Sequence, residues 1–193
     1  MAVRDLQHEE TLATVLERLG GLALHAPELE RLLGIVLKVC DVADSARSRG
    51  LVHWDLEPRN VMVEGGGQVH LFDGGVALGT PDYMAPEQAW GRSRDLDART
   101  DVYGIGGILY AILTMSPPHH GGGTSSDIAS ARNGTVCAPQ EACPERALPF
   151  ALCRIASRAL SANPSDRHPS IEILRQDIER FLCAGPGLRE AAA

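Results

Sequence analysis

Apolar side chains in the first fifty residues recur every three or four positions, which is the spacing of one helix face. Four residues of the first segment follow it: Leu12, Val15, Leu16 and Leu19. The pair Gly20-Gly21 is expected to end that helix, because glycine is common just beyond a helix terminus. A second, longer helix is predicted from about Pro27 to Gly50, with Lys38 beside its apolar stripe.

The period changes at Asn60, where two short apolar runs, 61–63 and 69–72, enclose three glycines. This pattern predicts a β-hairpin closed by a glycine turn. A glycine-rich loop can also hold phosphate, but no helix is predicted after these glycines, so the turn is favoured.

The remaining periodic segments are helical, and together they predict a mostly α fold with a small β-hairpin insert. The predicted helices lie near residues 86–90, 100–114, 127–132, 148–160 and 170–181. Gly104, Gly106 and Gly107 fall inside the second of these helices. We interpret them as a sign of close helix packing, because a phosphate-binding glycine loop would not lie within a helix.

Composition narrows the classes of function. The 193 residues carry 18 Lys and Arg against 25 Asp and Glu, a formal net charge of −7, which argues against a nucleic-acid partner. The apolar run 102–115 is shorter than the ~20 residues of a membrane helix, so no membrane partner is predicted. Five cysteines without a CxxC pair, and a charged start without a signal peptide, favour a cytoplasmic location.

Polar residues flank the predicted hairpin on both sides. Asp55 and Asn60 precede its first strand and Asp73 follows its second, so the hairpin would bring the three to one cleft. Carboxylate and amide oxygens suit Mg²⁺, which usually shares its ligands with substrate phosphates. Either aspartate taken alone is more typical of a turn beside a strand end.

Several motifs in order resemble the eukaryotic-type protein kinases, bacterial serine/threonine kinases in particular. The catalytic-loop motif H-R-D-L-K-P-x-N reads HWDLEPRN at 53–60, and D-F-G reads DGG at 73–75. A near-intact G-T-P-x-Y-M-A-P-E-Q follows at 79–88. The segment 97–114 is similar to the central helix of the kinase large lobe, and 159–170 to a later, arginine-bearing segment.

The resemblance covers nearly the whole chain. It implies a kinase-like large lobe without the N-terminal β lobe, in a domain spanning 1–184 with a flexible tail at 185–193. Met1 and Val3 are similar to the end of the hinge that follows the small lobe.

The same resemblance implies catalytic and binding roles for matching residues. Asp55 would be the catalytic base that accepts the substrate hydroxyl proton. Asn60 and Asp73 would bind the Mg²⁺ that accompanies ATP. Thr80 would lie beside the base and face the protein substrate.

Four further matches would be structural. His53 takes the histidine position of the catalytic-loop motif. Glu87 and Arg167 would form a buried pair that braces the activation segment. Asp101 would accept hydrogen bonds from the backbone of the catalytic loop.

The chain also departs from the kinase pattern. Glu57, at a nucleotide-binding position, replaces the lysine that helps to neutralise the γ-phosphate, which reverses the charge there. Arg59 stands where an acid is common, so Glu57 and Arg59 could pair across Pro58. Trp54 replaces an arginine that holds a phosphorylated activation loop in many kinases. The sole lysine, Lys38, lies in a large-lobe helix and cannot replace the ATP-binding lysine of a small lobe.

These residues leave three functions open. The first is a serine/threonine kinase that uses ATP and Mg²⁺ on a protein substrate, favoured by the intact Asp55, Asn60 and Asp73. The second is a pseudokinase-like module that binds a protein partner without phosphoryl transfer, and the third is a non-functional kinase fragment. Glu57 and the missing small-lobe motifs favour a truncated domain that is inactive or impaired alone, unless a separate small lobe complements it.

Overall fold

The computed structural model describes residues 9–20, 25–72, 80–120 and 124–184. The predictions for Met1 and Val3, for 73–79 including Asp73, and for the tail 185–193 lie outside the described residues. Within them the helices are α1 Leu12–Leu19, α2 Ala26–Ser48, α3 Pro86–Ala89, α4 Ala98–Thr114, α5 Thr124–Asn133, α6 Pro139–Ala142, α7 Phe150–Ala159 and α8 Ile171–Cys183. The strands are β1 Glu10–Thr11, β2 Val61–Val63 and β3 Val69–Leu71.

The predicted mostly α architecture is confirmed, and three helices begin at side-chain caps. Thr11 accepts a hydrogen bond from the Thr14 amide at the start of α1, at 3.2 Å. Asp97 accepts one from the Arg99 amide at 2.7 Å in α4, and Ser170 caps α8. Such side chains satisfy amides that have no partner within a first helical turn.

The predicted hairpin is also confirmed, and it gains a third strand. β2 pairs antiparallel with β3, with Val61 opposite Leu71, and β1 pairs antiparallel with the other edge of β2. Gly67 closes the turn with a φ of +72°, a conformation that glycine adopts without strain. The Phe72 amide then donates to the Asn60 carbonyl at 2.9 Å. The hairpin therefore brings the residue before Asp73 back to the start of β2.

Helix α4 lies at the centre of the fold. Every residue from Thr100 to Thr114 is buried, and the helix packs against α2, α7 and α8. A Cβ on Gly104 would lie 2.8 Å from the Leu56 Cβ, and one on Gly106 would lie 2.6 Å from the Ala159 Cβ. The glycines therefore permit close packing against the 51–60 segment and α7, as the sequence predicted.

Lys38 ties α2 to the small sheet. Its ammonium group donates a hydrogen bond to the Gly67 carbonyl in the hairpin turn. In the part of the chain that the structure describes, no helix combines the length and apolar character needed to cross a lipid bilayer.

Candidate functional site

The segment 51–60 runs irregularly from α2 to β2, and Asp101 holds its backbone in place. The Asp101 carboxylate, on the first turn of α4, accepts from the His53 amide at 3.1 Å and from the Trp54 amide at 2.9 Å. Trp54 has a φ of +61°, which a residue with a side chain rarely adopts. The two hydrogen bonds stabilise this turn, so α4 sets the path of the segment that carries Asp55.

Burial disfavours the ionised form of the Asp101 carboxyl group. Its side chain is almost completely buried, and this burial raises the pKa of the Asp101 carboxyl above its usual range. The hydrogen bonds from Trp54 and His53 oppose that shift but do not cancel it. Asp101 is therefore a buried acid whose charged form depends on two backbone donors.

Asp55 and Asn60 are in direct contact. The Asn60 amide nitrogen donates to the Asp55 carboxylate and to the Asp55 backbone carbonyl, both at 2.9 Å. Asn60 is buried in the short 3₁₀ turn Pro58–Asn60, whereas Asp55 is half-buried. Because its nitrogen faces Asp55, the side-chain oxygen of Asn60 is the atom left to bind a cation.

Glu57, in the same segment, is only 4% exposed. Burial raises the pKa of its carboxyl, the nearby charge of Asp55 raises it further, and a hydrogen bond from the Thr80 side chain lowers it in part. Arg59 is exposed and forms no ion pair with Glu57, so the pairing that the sequence suggested across Pro58 is not formed. Thr80 is the partner of Glu57, and it lines one small crevice together with Asp55.

Glu87 and Arg167 form a buried ion pair. The two guanidinium nitrogens Nη1 and Nη2 of Arg167 donate to the two carboxylate oxygens of Glu87 at 2.7 and 2.8 Å. Thr100 donates to the same carboxylate at 3.0 Å. The pair therefore joins α3 to α4 and to the segment before α8.

The imidazole ring of His53 has both of its nitrogens shielded from solvent. Both ring nitrogens are buried and have no hydrogen-bond partner among the described residues. Its amide, rather than its ring, makes the contact with Asp101.

Gln88 is a site residue to which the sequence analysis gave no role. Its amide nitrogen donates to the Trp54 carbonyl at 2.5 Å, and its oxygen accepts from the Ala85 amide at 3.1 Å. Gln88 therefore links α3 to the residue before Asp55. The available signal was its place at the end of the 79–88 motif, directly after Glu87.

The described residues include one of the two predicted Mg²⁺ ligands, Asn60. Among them no group of three or more His, Cys, Asp or Glu side chains could hold a metal ion. The oxygen of Asn60 is of the type that Mg²⁺ prefers, and the second predicted ligand, Asp73, lies outside the described residues. Glu57 does not fit a nucleotide, because a buried acid near Asp55 would repel the phosphates.

Comparisons with known proteins agree with the motifs. The family described as protein kinase domain matches residues 5–178. The serine/threonine-protein kinase PknD of Chlamydia abortus is 31% identical over 186 residues, covering 80% of this chain and 19% of that protein. PknD of Chlamydia caviae is 32% identical over 185 residues with the same coverage, and PknD of Chlamydia trachomatis serovar D is 30% identical over 190 residues. The chain thus spans about a fifth of the length of these relatives.

Proposed function

Because the chain belongs to the protein kinase family, we propose that it forms the large lobe of a serine/threonine kinase and transfers phosphate poorly or not at all alone. The activity of the family is ATP- and Mg²⁺-dependent phosphorylation of protein hydroxyl groups. The observation that carries the proposal is the buried Glu57 carboxyl, hydrogen-bonded by Thr80 near Asp55.

Several retained residues support a kinase ancestry of the site. In this proposal Asp55 accepts the proton of the substrate hydroxyl, and the amide of Asn60 orients its carboxylate through their 2.9 Å hydrogen bond. Asn60 and Asp73 would hold Mg²⁺, whose chemistry is to neutralise phosphate charge. Thr80 would face the protein substrate beside Asp55.

The charge at position 57 supports the loss of activity. Phosphoryl transfer depends on electrostatic stabilisation of the phosphate oxygens, and a cation at this position would contribute to it. Among the described residues Glu57 forms no ion pair, although the charge of Arg59 lowers its pKa in part, and its neighbour Asp55 is also acidic. A triphosphate at this place would meet two acids, so we expect weak nucleotide binding.

A second candidate function is binding of a protein partner without phosphoryl transfer. Three large apolar side chains near the site are exposed: Leu51, Trp54 and Phe72, at 60, 43 and 51%. Phe72 is next to Asn60 through its backbone, while Leu51 and Trp54 precede Asp55 in the same segment. Exposed large apolar groups near the site favour contact with another protein, which could be a separate small lobe.

A thermal-shift titration with Mg²⁺ and ATP distinguishes these functions. We expect no rise in the melting temperature of the wild type, and a rise for Glu57→Lys that is lost when Asp73→Ala is added. A clear rise for the wild type that Asp73→Ala abolishes would show an intact nucleotide site and exclude the pure binding module. Glu145→Ala, at an exposed acid outside the site, is the matched control.

Transfer itself is measured with radiolabelled ATP and a general protein substrate. Incorporation by the wild type that depends on Asp55, tested with Asp55→Asn, would overturn the proposal of an impaired lobe. Absence of incorporation in the wild type, together with a thermal response of Glu57→Lys, would support it.

The cellular setting is part of the same proposal. All five cysteines are free thiols, as expected for a reducing compartment, which supports a cytoplasmic location. The net charge of −7 supports a protein partner rather than a nucleic acid.

A further inference from the structure

A cavity of about 740 Å³ is bordered by Glu87 and is lined by neither Asp55 nor Asn60. Its walls come from 86–99, from the end of α5 and from the segment 162–165. Four arginines line it: Arg92, Arg94, Arg99 and Arg132. We call this cavity the arginine cleft.

Three of the four guanidinium groups have no acidic partner among the residues that the structure describes. Arg99 is neutralised by Asp97 through hydrogen bonds of 2.7 and 3.1 Å. Within the described residues, Arg92, Arg94 and Arg132 form no ion pair, and Asp95 is the acid on these walls that no arginine pairs with. Glu87 also borders the cleft, but Arg167 neutralises it. The cleft therefore carries net positive charge in a chain whose net charge is −7.

Trp90 holds two of these arginines in place. Its indole N–H donates to the Arg132 carbonyl at 2.9 Å, and the Arg132 Nε donates to the Ala89 carbonyl at 2.8 Å. The guanidinium carbons of Arg92 and Arg132 lie 5.8 and 5.4 Å from the centre of the Trp90 ring. At these distances a cation–π attraction restricts the movement of both guanidinium groups, and this attraction does not occupy their hydrogen-bond donors.

The backbone supports this arrangement. Gly91, between Trp90 and Arg92, has a φ of +66°, so the chain turns sharply there. The turn places Arg92 back against the indole ring of Trp90. Trp90 is still 54% exposed, so part of its ring remains open to a ligand.

We propose that the arginine cleft binds the phosphate group of a phosphorylated serine or threonine in a protein. A phosphate monoester carries about −1.5 to −2 charges at pH 7 and three acceptor oxygens, which guanidinium groups bind in pairs. The cavity is larger than a phosphate group, so it also admits neighbouring peptide atoms, and the exposed Trp90 ring can contact them.

The charge of the whole chain selects this ligand over polyanions. A nucleic acid or an anionic membrane surface extends beyond the cleft, and the net charge of −7 on the chain would repel it. A single dianionic group on a peptide contacts the cleft alone. Binding in the cleft goes beyond the proposed function, because it requires no nucleotide and none of Asp55, Glu57 or Asn60.

The test is fluorescence anisotropy without ATP or Mg²⁺. The probe is a fluorescein-labelled ten-residue peptide library centred on phosphoserine, compared with the same library centred on serine. We expect at least tenfold tighter binding of the phosphoserine library, a loss of at least tenfold in Arg92→Gln/Arg94→Gln, and competition by inorganic phosphate. Equal affinity for the two libraries would overturn the proposal.

The matched control is the double variant Arg49→Gln/Arg154→Gln, which also removes two exposed arginines. Neither arginine lines the arginine cleft, and Arg154 lies 6.0 Å from the centre of the exposed Phe150 ring. We expect the control variant to bind the phosphoserine library as tightly as the wild type does. An equal loss of affinity in the control and test variants would show that only the removal of positive charge matters, and it would overturn the proposal. Tighter binding of an oligonucleotide or of phosphatidylserine vesicles than of the phosphoserine library would also overturn it. The outcomes of this peptide-binding test are independent of the proposed function. A lack of nucleotide binding in the thermal-shift titration would not change any of them.

Discussion

Arg167 and Glu87 are 80 residues apart in the sequence and form a two-point ion pair that solvent barely reaches. Arg167 also donates to the carbonyls of Ser161, Arg99 and Ala162, and its guanidinium carbon lies 4.7 Å from the centre of the Tyr103 ring. One side chain thus connects α3, α4 and the segment between α7 and α8.

Replacing Arg167 should destabilise the fold severely. Arg167→Met leaves the Glu87 carboxylate buried without its cation, which typically costs about 3–5 kcal/mol. The measurement is the free energy of unfolding from urea denaturation. Arg175→Met is the control, because Arg175 pairs with Asp41 on the surface and such pairs contribute about 0–1 kcal/mol. Equal losses in the two variants would contradict this account of the buried pair.

The contributions of the two buried glutamates, Glu57 and Glu87, to the stability of the fold should change with pH in opposite directions. Burial raises the pKa of Glu87, but the ion pair with Arg167 outweighs it and leaves that pKa below its usual range. Its contribution to stability is present above the unfolded pKa of about 4.3 and is lost as the pH falls through the folded pKa. For Glu57 the pKa is raised, so its favourable contribution is present below about 4.3 and is lost as the pH rises through its folded pKa.

Glutamine substitutions test these signs. At pH 7, Glu57→Gln should raise the free energy of unfolding by about 1 kcal/mol, because it removes a buried charge and keeps an acceptor for Thr80. That gain should shrink towards pH 4. Glu87→Gln should lower stability at pH 7, with a loss that shrinks below about pH 4. Urea denaturation across this pH range measures both, and effects of the same sign at pH 7 would be inconsistent with the opposite pKa directions.

Two helix glycines should differ sharply when changed to alanine. A Cβ on Gly104 would lie 2.8 Å from the Leu56 Cβ and 2.9 Å from the Leu56 carbonyl oxygen, next to Asp55. Gly104→Ala should therefore cost about 1–3 kcal/mol through overpacking. Gly34, within α2, has no atom within 4 Å of an added Cβ, so Gly34→Ala should stabilise by about 0.5–1 kcal/mol. Thermal unfolding of both variants checks the prediction, and a stabilised Gly104→Ala would contradict the close packing.

Periodicity in the sequence was sufficient to predict the longer elements. The start of α2 was predicted at Pro27 and lies at Ala26, and the hairpin strands lie where the apolar runs placed them. Two elements were missed, β1 and α6, because two and four residues are too few to show a period.

Side-chain partners were much harder to predict. The kinase motifs indicated which residues belong to the site, but not that Thr80 is the partner of Glu57 or that Gln88 contacts the Trp54 carbonyl. These contacts depend on side-chain conformations and on how α3 packs against the 51–60 segment, which no local pattern records. The single lysine is a similar case, since only the packing of α2 on the hairpin shows that Lys38 binds the Gly67 carbonyl.

Asp101 should control the conformation of the segment that carries Asp55. Its two carboxylate oxygens accept separately from the His53 and Trp54 amides, and an asparagine side chain has only one acceptor oxygen. Asp101→Asn should therefore leave one buried amide without a partner, at a cost of about 1–3 kcal/mol, and relax the left-handed turn at Trp54.

Amide hydrogen exchange measured by NMR tests this directly. The His53 and Trp54 amides should exchange faster in Asp101→Asn, while amides in the centre of α4 should stay protected. Asp95→Asn, at an exposed acid just before the same helix, is the control and should leave both amides as in the wild type. Unchanged exchange at His53 and Trp54 in Asp101→Asn would mean that packing alone, rather than the Asp101 carboxylate, holds the segment in place.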